Sequence, residues 1–496
     1  MTIWFLLLLG LVTYLMVQRS VAQMTRTPVW LLWLVLMTPA FLWTAWAVIN
    51  GWKQTPPRTL IIWPLVICPL LYWLLFQWGR RSLPKGTQTE PQTPILQQST
   101  VHSTPEPLSV RPIESTEETQ LRNCFPWSVY YVQNIEYRPQ AVVCRGQLRT
   151  TPTNAYQKIK ENVEAQFGDR FLLIFQEGFN GKPFFVIVPN HQLAKAKNAQ
   201  TQKQLTRPGL ALLLLAATLV TTTWVGAETA GVHPTLTLVF SNPAVLMLGL
   251  PYALALLFIL GIHELGHYLT ARYYNIRSTL PYFIPVPFFL GTFGAFIQMR
   301  SPVPNRKALF DVSIAGPMAG FLATLPLLIW GLAHSQVIPI PEKTGLLNPD
   351  ALNPQHSILL AVLAKLALGS HLTAKSAIDL HPVAVAGFLG LVVTALNLMP
   401  VGQLDGGHIV HAMFGQKNAI VIGQIARLLL LLLSLVQPEF FLWAIILLFI
   451  PLIDEPALND VSELDNGRDI WGLLAMVLLV IIVLPLPQAI AQMLHI

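Results

Sequence analysis

Residues 244–271 read AVLMLGLPYALALLFILGIHELGHYLTA, and no charge interrupts the run before His263. A stretch of roughly 20 apolar residues crosses a bilayer as a helix, because a helix satisfies its own backbone polar groups where no water can. Near the end of this stretch stand His263, Glu264 and His267, the sequence HExxH. Histidines four residues apart project from one helix face, so both imidazoles can reach one ion, and the glutamate beside them can take a proton from an attacking water. Ionisable groups inside a span are costly and are read first as functional. The plain alternative is a buried His–Glu pair that joins helices.

Working outward, the rest of the chain has the composition of a membrane protein. Of 496 residues 53% are hydrophobic and only 11% charged, too few charges to clothe an ordinary soluble surface. The net charge of +7 follows from basic residues collected at span ends for orientation, so it does not indicate a nucleic-acid partner. Cys68, Cys124 and Cys144 form no disulfide framework and no CxxC pair.

Apolar runs at 3–18, 28–50, 59–78, 208–228, 244–271, 308–333, 382–400, 418–436, 438–453 and 470–493 are expected to be spans. The stretch 356–369 is short for an eleventh, and the first run is expected to be an uncleaved span rather than a signal peptide. Arg80, Arg81 and Lys85 leave the third run, while Lys195, Lys197, Lys203 and Arg207 enter the fourth. The segment between them is therefore expected in the cytoplasm, with the HExxH end of 244–271 facing the same side. Within that segment, 81–118 is rich in Thr, Pro, Gln and Ser and reads as a disordered linker. Residues 119–205 read as a small cytoplasmic α/β domain, with strands at Trp127–Val132, Ala141–Arg145, Phe171–Phe175 and Phe184–Val188 around a helix near Asn154–Phe167. Residues 1–80 are then N-terminal membrane spans and 206–496 the catalytic membrane domain. The fold class expected is an all-α polytopic membrane protein of about 9–10 transmembrane helices, with a re-entrant hairpin and this small domain.

A catalytic zinc keeps three protein ligands and one open position, so a third ligand is owed. An extended HExxHxxGxxH would supply it, but Thr270 and Tyr273 stand where its Gly and last His belong. Asp405 is the better candidate. It follows Asn397-Leu-Met-Pro400-Val-Gly402-Gln-Leu, where Pro and Gly break the helix, and broken backbone at membrane depth is tolerated where it lines a cavity. His408 and His411 are rival ligands, read here as facing the interface. Glu455, Asp460, Glu463 and Asp465 read as a polar loop. Between metal helix and next span, 281–299 is apolar yet carries Pro281, Pro285, Pro287, Gly291 and Gly294, a poor helix expected as a re-entrant hairpin whose edge can pair with an unwound substrate.

HELGH at 263–267 and NLMPVGQLDG at 397–406 resemble the two signatures of the site-2 protease family of intramembrane zinc metalloproteases. The stretches 291–300 and 311–320 are similar to its chloroplast and cyanobacterial branch, whose plant members are named for ethylene-dependent gravitropism deficiency and yellow-green leaves. The resemblance covers roughly 205–470. It implies zinc held by His263, His267 and Asp405, Glu264 as catalytic base, and Asn397 orienting substrate or stabilising the oxyanion. Gly291 and Gly294 fall in the substrate hairpin. Gly320 departs from the polar residue found in other branches, which implies one polar contact fewer. The expected activity is cleavage of a transmembrane protein substrate in or near its span, within the lipid bilayer of a cyanobacterial plasma or thylakoid membrane. The rival from another class is a metal-ion or proton transporter using intramembrane His and Glu.

Overall fold

The computed structural model describes residues 27–51, 117–190, 207–339 and 352–496, less single or paired positions inside those ranges, together with scattered positions before 79 and residue 113. The expected spans at 3–18 and 59–78 and the linker at 81–118 fall for the most part outside the described residues. The chain forms two compact units, Met1–Pro105 and Glu106–Ile496. In the first, helix α1 (Val29–Asn50) is apolar on every side. Its Thr38 and Thr44 hydroxyls donate to the carbonyls of Leu34 and Ala40, so neither is left unsatisfied in an apolar setting.

The second unit begins with α2 (Glu117–Asn123), then β1 (Tyr130–Arg138), β2 (Ala141–Leu148), α3 (Pro152–Phe167), β3 (Phe171–Glu177) and β4 (Pro183–Pro189). The strands form one antiparallel sheet in the order β1-β2-β4-β3. Ile159, Val163 and Phe167, four residues apart on α3, are buried in a core with Tyr130, Phe175 and Phe185. Phe175 and Phe185 stack with centroids 4.1 Å apart. The first strand starts later than its apolar pattern predicted, since Trp127 is exposed and Tyr130 opens the ladder. Cys124 and Cys144 are free and buried, and burial pushes the Cys144 thiol up to about 12.

The membrane domain follows: α4 (Pro208–Thr229), α5 (Leu250–Tyr273), the hairpin β5 (Tyr282–Pro285) and β6 (Thr292–Phe296), α6 (Arg306–Ala333), β7 (Gln336–Pro339), α7 (Ile358–Leu368), β8 (Ser376–Asp379), α8 (Pro382–Leu398), α9 (Asp405–Val436), α10 (Phe441–Phe449), α11 (Asn466–Val483) and α12 (Gln488–Leu494). Among the described residues six helices are long and apolar enough to cross a membrane: Val29–Asn50, Pro208–Thr229, Pro243–Tyr273, Arg306–Ala333, Asp405–Leu435 and Asn466–Val483.

Three of the expected runs come out differently. The run 438–453 is α-helical only over Phe441–Phe449, roughly 13 Å at 1.5 Å per residue, too short to span. The run 470–493 ends at Val483, because Pro485 and Pro487 cannot continue a helix. The run 418–436 is the far half of α9, which bends at Gly415 (φ 80°). Helix α6 lies at the centre, packed on α5, α8 and α9. Small residues let the backbones approach: a Cβ on Gly266 of α5 would stand 2.6 Å from the Ala315 carbonyl oxygen of α6.

Candidate metal centre

Helix α5 presents His263 and His267 on one face, both buried. Their Nε2 atoms are 3.2 Å apart. Helix α8 stops at Leu398, and the chain turns through Pro400 and Gly402 before α9 starts at Asp405. Gly402 has φ 48°, and a Cβ there would overlap the Pro451 carbonyl oxygen at 1.7 Å, so the turn accepts no other residue without moving. That turn delivers Asp405 Oδ2 to 3.3 Å from His267 Nε2 and 3.6 Å from His263 Nε2.

These three separations test whether zinc fits. Ligands at about 2.0–2.2 Å from a tetrahedral ion lie about 3.3–3.6 Å from one another, and the observed edges are 3.2, 3.3 and 3.6 Å. The tautomer agrees as well. His267 Nδ1–H donates to the Val312 carbonyl at 2.8 Å, which leaves the Nε2 lone pair aimed at the common point. Among the described residues no other group of three His, Cys, Asp or Glu converges in this way.

The floor of the centre is the backbone of α6. A Cβ on Gly316 would lie 2.1 Å from His267 Nε2, and one on Gly320 would lie 3.1 Å from His263 Nδ1. Gly320 was expected only to cost a polar contact; its bareness instead makes room for the His263 ring. Glu264 is buried beside the histidines, with the Ile297 backbone, just past β6, close to its carboxyl group. Asn397 reaches in from α8, with Nδ2 3.2 Å from His263 Nε2.

The hairpin is pinned to the helices around it. Thr221 Oγ1 of α4 donates to the Gly291 carbonyl at 2.6 Å, and the Tyr252 hydroxyl of α5 donates to the Leu290 carbonyl at 3.0 Å. Gly291 (φ 80°) lies against the Thr222 backbone, whereas Gly294 (φ 101°) has open space beside it. Gly291 therefore serves close packing, and Gly294 the irregularity within β6 where the ladder shifts register.

A second cluster was not expected. His408 and His411 do not face the interface: His411 is fully buried, its Nδ1 2.6 Å from Asp454 Oδ2 and its Nε2 3.1 Å from Asp460 Oδ2. His408 Nδ1 is 2.8 Å from Asp454 Oδ1, at an angle that makes the contact electrostatic rather than a hydrogen bond. Arg306, at the start of α6, is buried and donates to Asp460 at 3.2 Å. Asp454 and Asp460 are thus core residues and not part of a solvated acidic loop. Burial alone would raise the Asp454 carboxyl, but His408 and His411 at its two oxygens hold it down at about 2. The only sequence signal was a third-and-sixth-residue histidine spacing after Asp405, which names no partner.

Residues 251–434 match the family model described as Peptidase family M50, and residues 119–195 match the EGY3 middle domain. The chain is 30% identical, over 74% of its length and 64% of the relative, to the probable zinc metalloprotease EGY2, chloroplastic, of Arabidopsis thaliana. It is 30% identical to the EGY2 protein of Oryza sativa subsp. indica, over 76% of this chain and 68% of that one. The probable zinc metalloprotease EGY1 of Arabidopsis thaliana is 34% identical over 49% of this chain and 44% of its own length. The chain spans about two thirds of the length of the EGY2 relatives it matches.

Proposed function

The chain belongs to peptidase family M50, with the EGY zinc metalloproteases, and on that premise we propose that it is an intramembrane zinc endopeptidase that cleaves membrane proteins in or near their spans. The observation that carries the reading is the triangle of His263 Nε2, His267 Nε2 and Asp405 Oδ2, with edges of 3.2–3.6 Å and Glu264 beside it. The relatives lend no support to a transporter.

Zinc bound by His263, His267 and Asp405 would polarise a peptide carbonyl and lower the pKa of water to about 7. Glu264 takes the proton from the attacking water and returns it to the leaving amine; such acid–base help is worth about 10²–10⁴ in rate. Asn397 Nδ2, beside His263, is within reach of the oxygen that gains charge as the carbonyl is attacked. The buried walls exclude bulk water, so charge developing there is felt strongly. In the hairpin, Tyr282–Pro285 and Thr292–Phe296 are held at the level of Glu264 and offer an edge to an unwound substrate.

The finer architecture belongs to this reading: about 9–10 spans in all, a re-entrant hairpin, spans over 1–80, a linker over 81–118, a cytoplasmic domain over 119–205 and a protease domain over 206–496. The setting proposed is a cyanobacterial plasma or thylakoid membrane. Glu264→Gln should keep fold and zinc while cleavage of a reporter transmembrane substrate falls by about 10²–10⁴. Normal turnover by that variant would defeat the protease reading.

A further inference from the structure

Strand β3 is an outer strand of its sheet, and residues 458–460 occupy its free edge. Phe175 N–H donates to the Leu458 carbonyl at 2.7 Å, and Asp460 N–H donates to the Phe175 carbonyl at 2.9 Å. The other edge of the same strap bonds to the stretch leading from the hairpin into α6: Leu458 N–H to the Val303 carbonyl at 2.9 Å and Asn459 N–H to the Pro304 carbonyl at 3.1 Å. Val461 packs into the core of the α/β domain, while Asp460 binds Arg306 and His411. The small domain is therefore stitched to the protease domain through paired backbone and a buried charge network.

This junction encloses a cavity of about 700 Å³ whose walls include Leu172 of β3, Ile297, Met299, Gln403, His408 and Glu455. That volume is of the size that buries a bound ligand. It opens beside the metal centre, since Ile297 follows the strand packed on α5 and lies close to Glu264 and Gln403 and His408 flank Asp405 in sequence. Met299 pairs with Ser278 through Arg300 N–H to the Arg277 carbonyl (2.6 Å) and Thr279 N–H to the Gln298 carbonyl (3.0 Å). In that antiparallel pattern the N–H and C=O of Met299 itself point to the opposite edge, and among the described residues neither has a backbone partner. Asp454 is committed to His408 and His411, whereas Glu455 is exposed and has no cation partner among the described residues.

We infer that this cavity holds the polar segment flanking the substrate's span, extended along Met299, lying against Leu172, with a Lys or Arg side chain directed to Glu455. An unpaired strand edge recognises an extended chain by backbone bonds, and flanks of spans on the cytoplasmic side are rich in Lys and Arg. The inference rests on the endopeptidase reading and adds to it a part for the α/β domain in choosing substrates.

The test uses the full chain in liposomes and three reporters that share one membrane segment: one with a short basic flank, one with an acidic flank and one cut at the membrane boundary. Wild type should cleave the basic-flanked reporter best, through a lower KM. Leu172→Trp should lower the ratio of basic-flanked to cut cleavage by about tenfold. Glu455→Lys, at an exposed position that folding tolerates, should lower that ratio and raise cleavage of the acidic-flanked reporter. Ratios identical in wild type and both variants would overturn the inference while leaving the protease reading intact. No cleavage of any reporter by wild type would remove that reading, and the inference with it.

Discussion

Two sets of histidine and aspartate meet along α9, and they are put to opposite uses. At its first residue Asp405 joins His263 and His267, and three donor atoms face one point across edges of 3.2–3.6 Å. One and two turns further on, His408 and His411 join Asp454 and Asp460, and there the donor atoms face each other. His267 has given its Nδ1 to the Val312 carbonyl and keeps Nε2 for the common point, while both nitrogens of His411 are spent on carboxylates. Identical residue types thus make a candidate metal site or a strut according to what holds the second imidazole nitrogen.

Breaking the first set has the largest expected effect. Asp405→Ala should remove zinc from the purified protein and lower cleavage by about 10³-fold or more, since the metal supplies both electrophile and acidified water. Asp454→Ala should leave zinc stoichiometry unchanged in the folded fraction. Full zinc in Asp405→Ala would take that aspartate out of the ligand set and dissolve the contrast.

Breaking the second set should be felt as stability. Asp460→Ala strands the buried Arg306 and His411, and losing one partner of a buried ion pair costs about 3–5 kcal/mol. Denaturant unfolding should register that loss, and limited proteolysis should cut near residues 177–183 sooner as the strap releases β3. A smaller effect is expected at the floor of the metal site. Gly316→Ala places a methyl where His267 Nε2 now lies, and overpacking of this kind costs about 1–3 kcal/mol. Zinc titration should show weaker binding, whereas the same change at exposed Gly209 should not.

How far the residues announced this arrangement depends on whether an interaction is local. HExxH is legible because its two imidazoles share one helix and need only the 3.6-residue period to meet. Asp405 is legible because scarce acids and a broken helix narrow the choice. Alternating apolar runs place the four strands of the α/β domain to within a few residues. The pairing of His411 with Asp454 and Asp460 spans more than forty residues of chain, and no periodicity encodes it. Gly316 is not singled out by the sequence reading and Gly320 is read only as one polar contact fewer, although their four-residue spacing is a known signal of close helix approach. Short or broken helices such as Phe441–Phe449 were hidden because hydropathy records composition and not where proline ends the backbone pattern.

The mildest probe of the comparison is acid. Asp454 has an ordinary carboxyl value of 3.8 and is held at about 2 by the two histidines. A depressed folded-state value contributes stability that is fully present above the ordinary value and is lost as pH falls through the depressed one, here between about 4 and 2. The shift corresponds to about 2 kcal/mol. Thermal melting in detergent should therefore fall across that window by more in wild type than in Asp454→Asn, which has no carboxylate to protonate. Parallel curves for the two proteins would mean that the histidines do not hold Asp454 ionised, and the second set would then owe its strength to Asp460 and Arg306 alone.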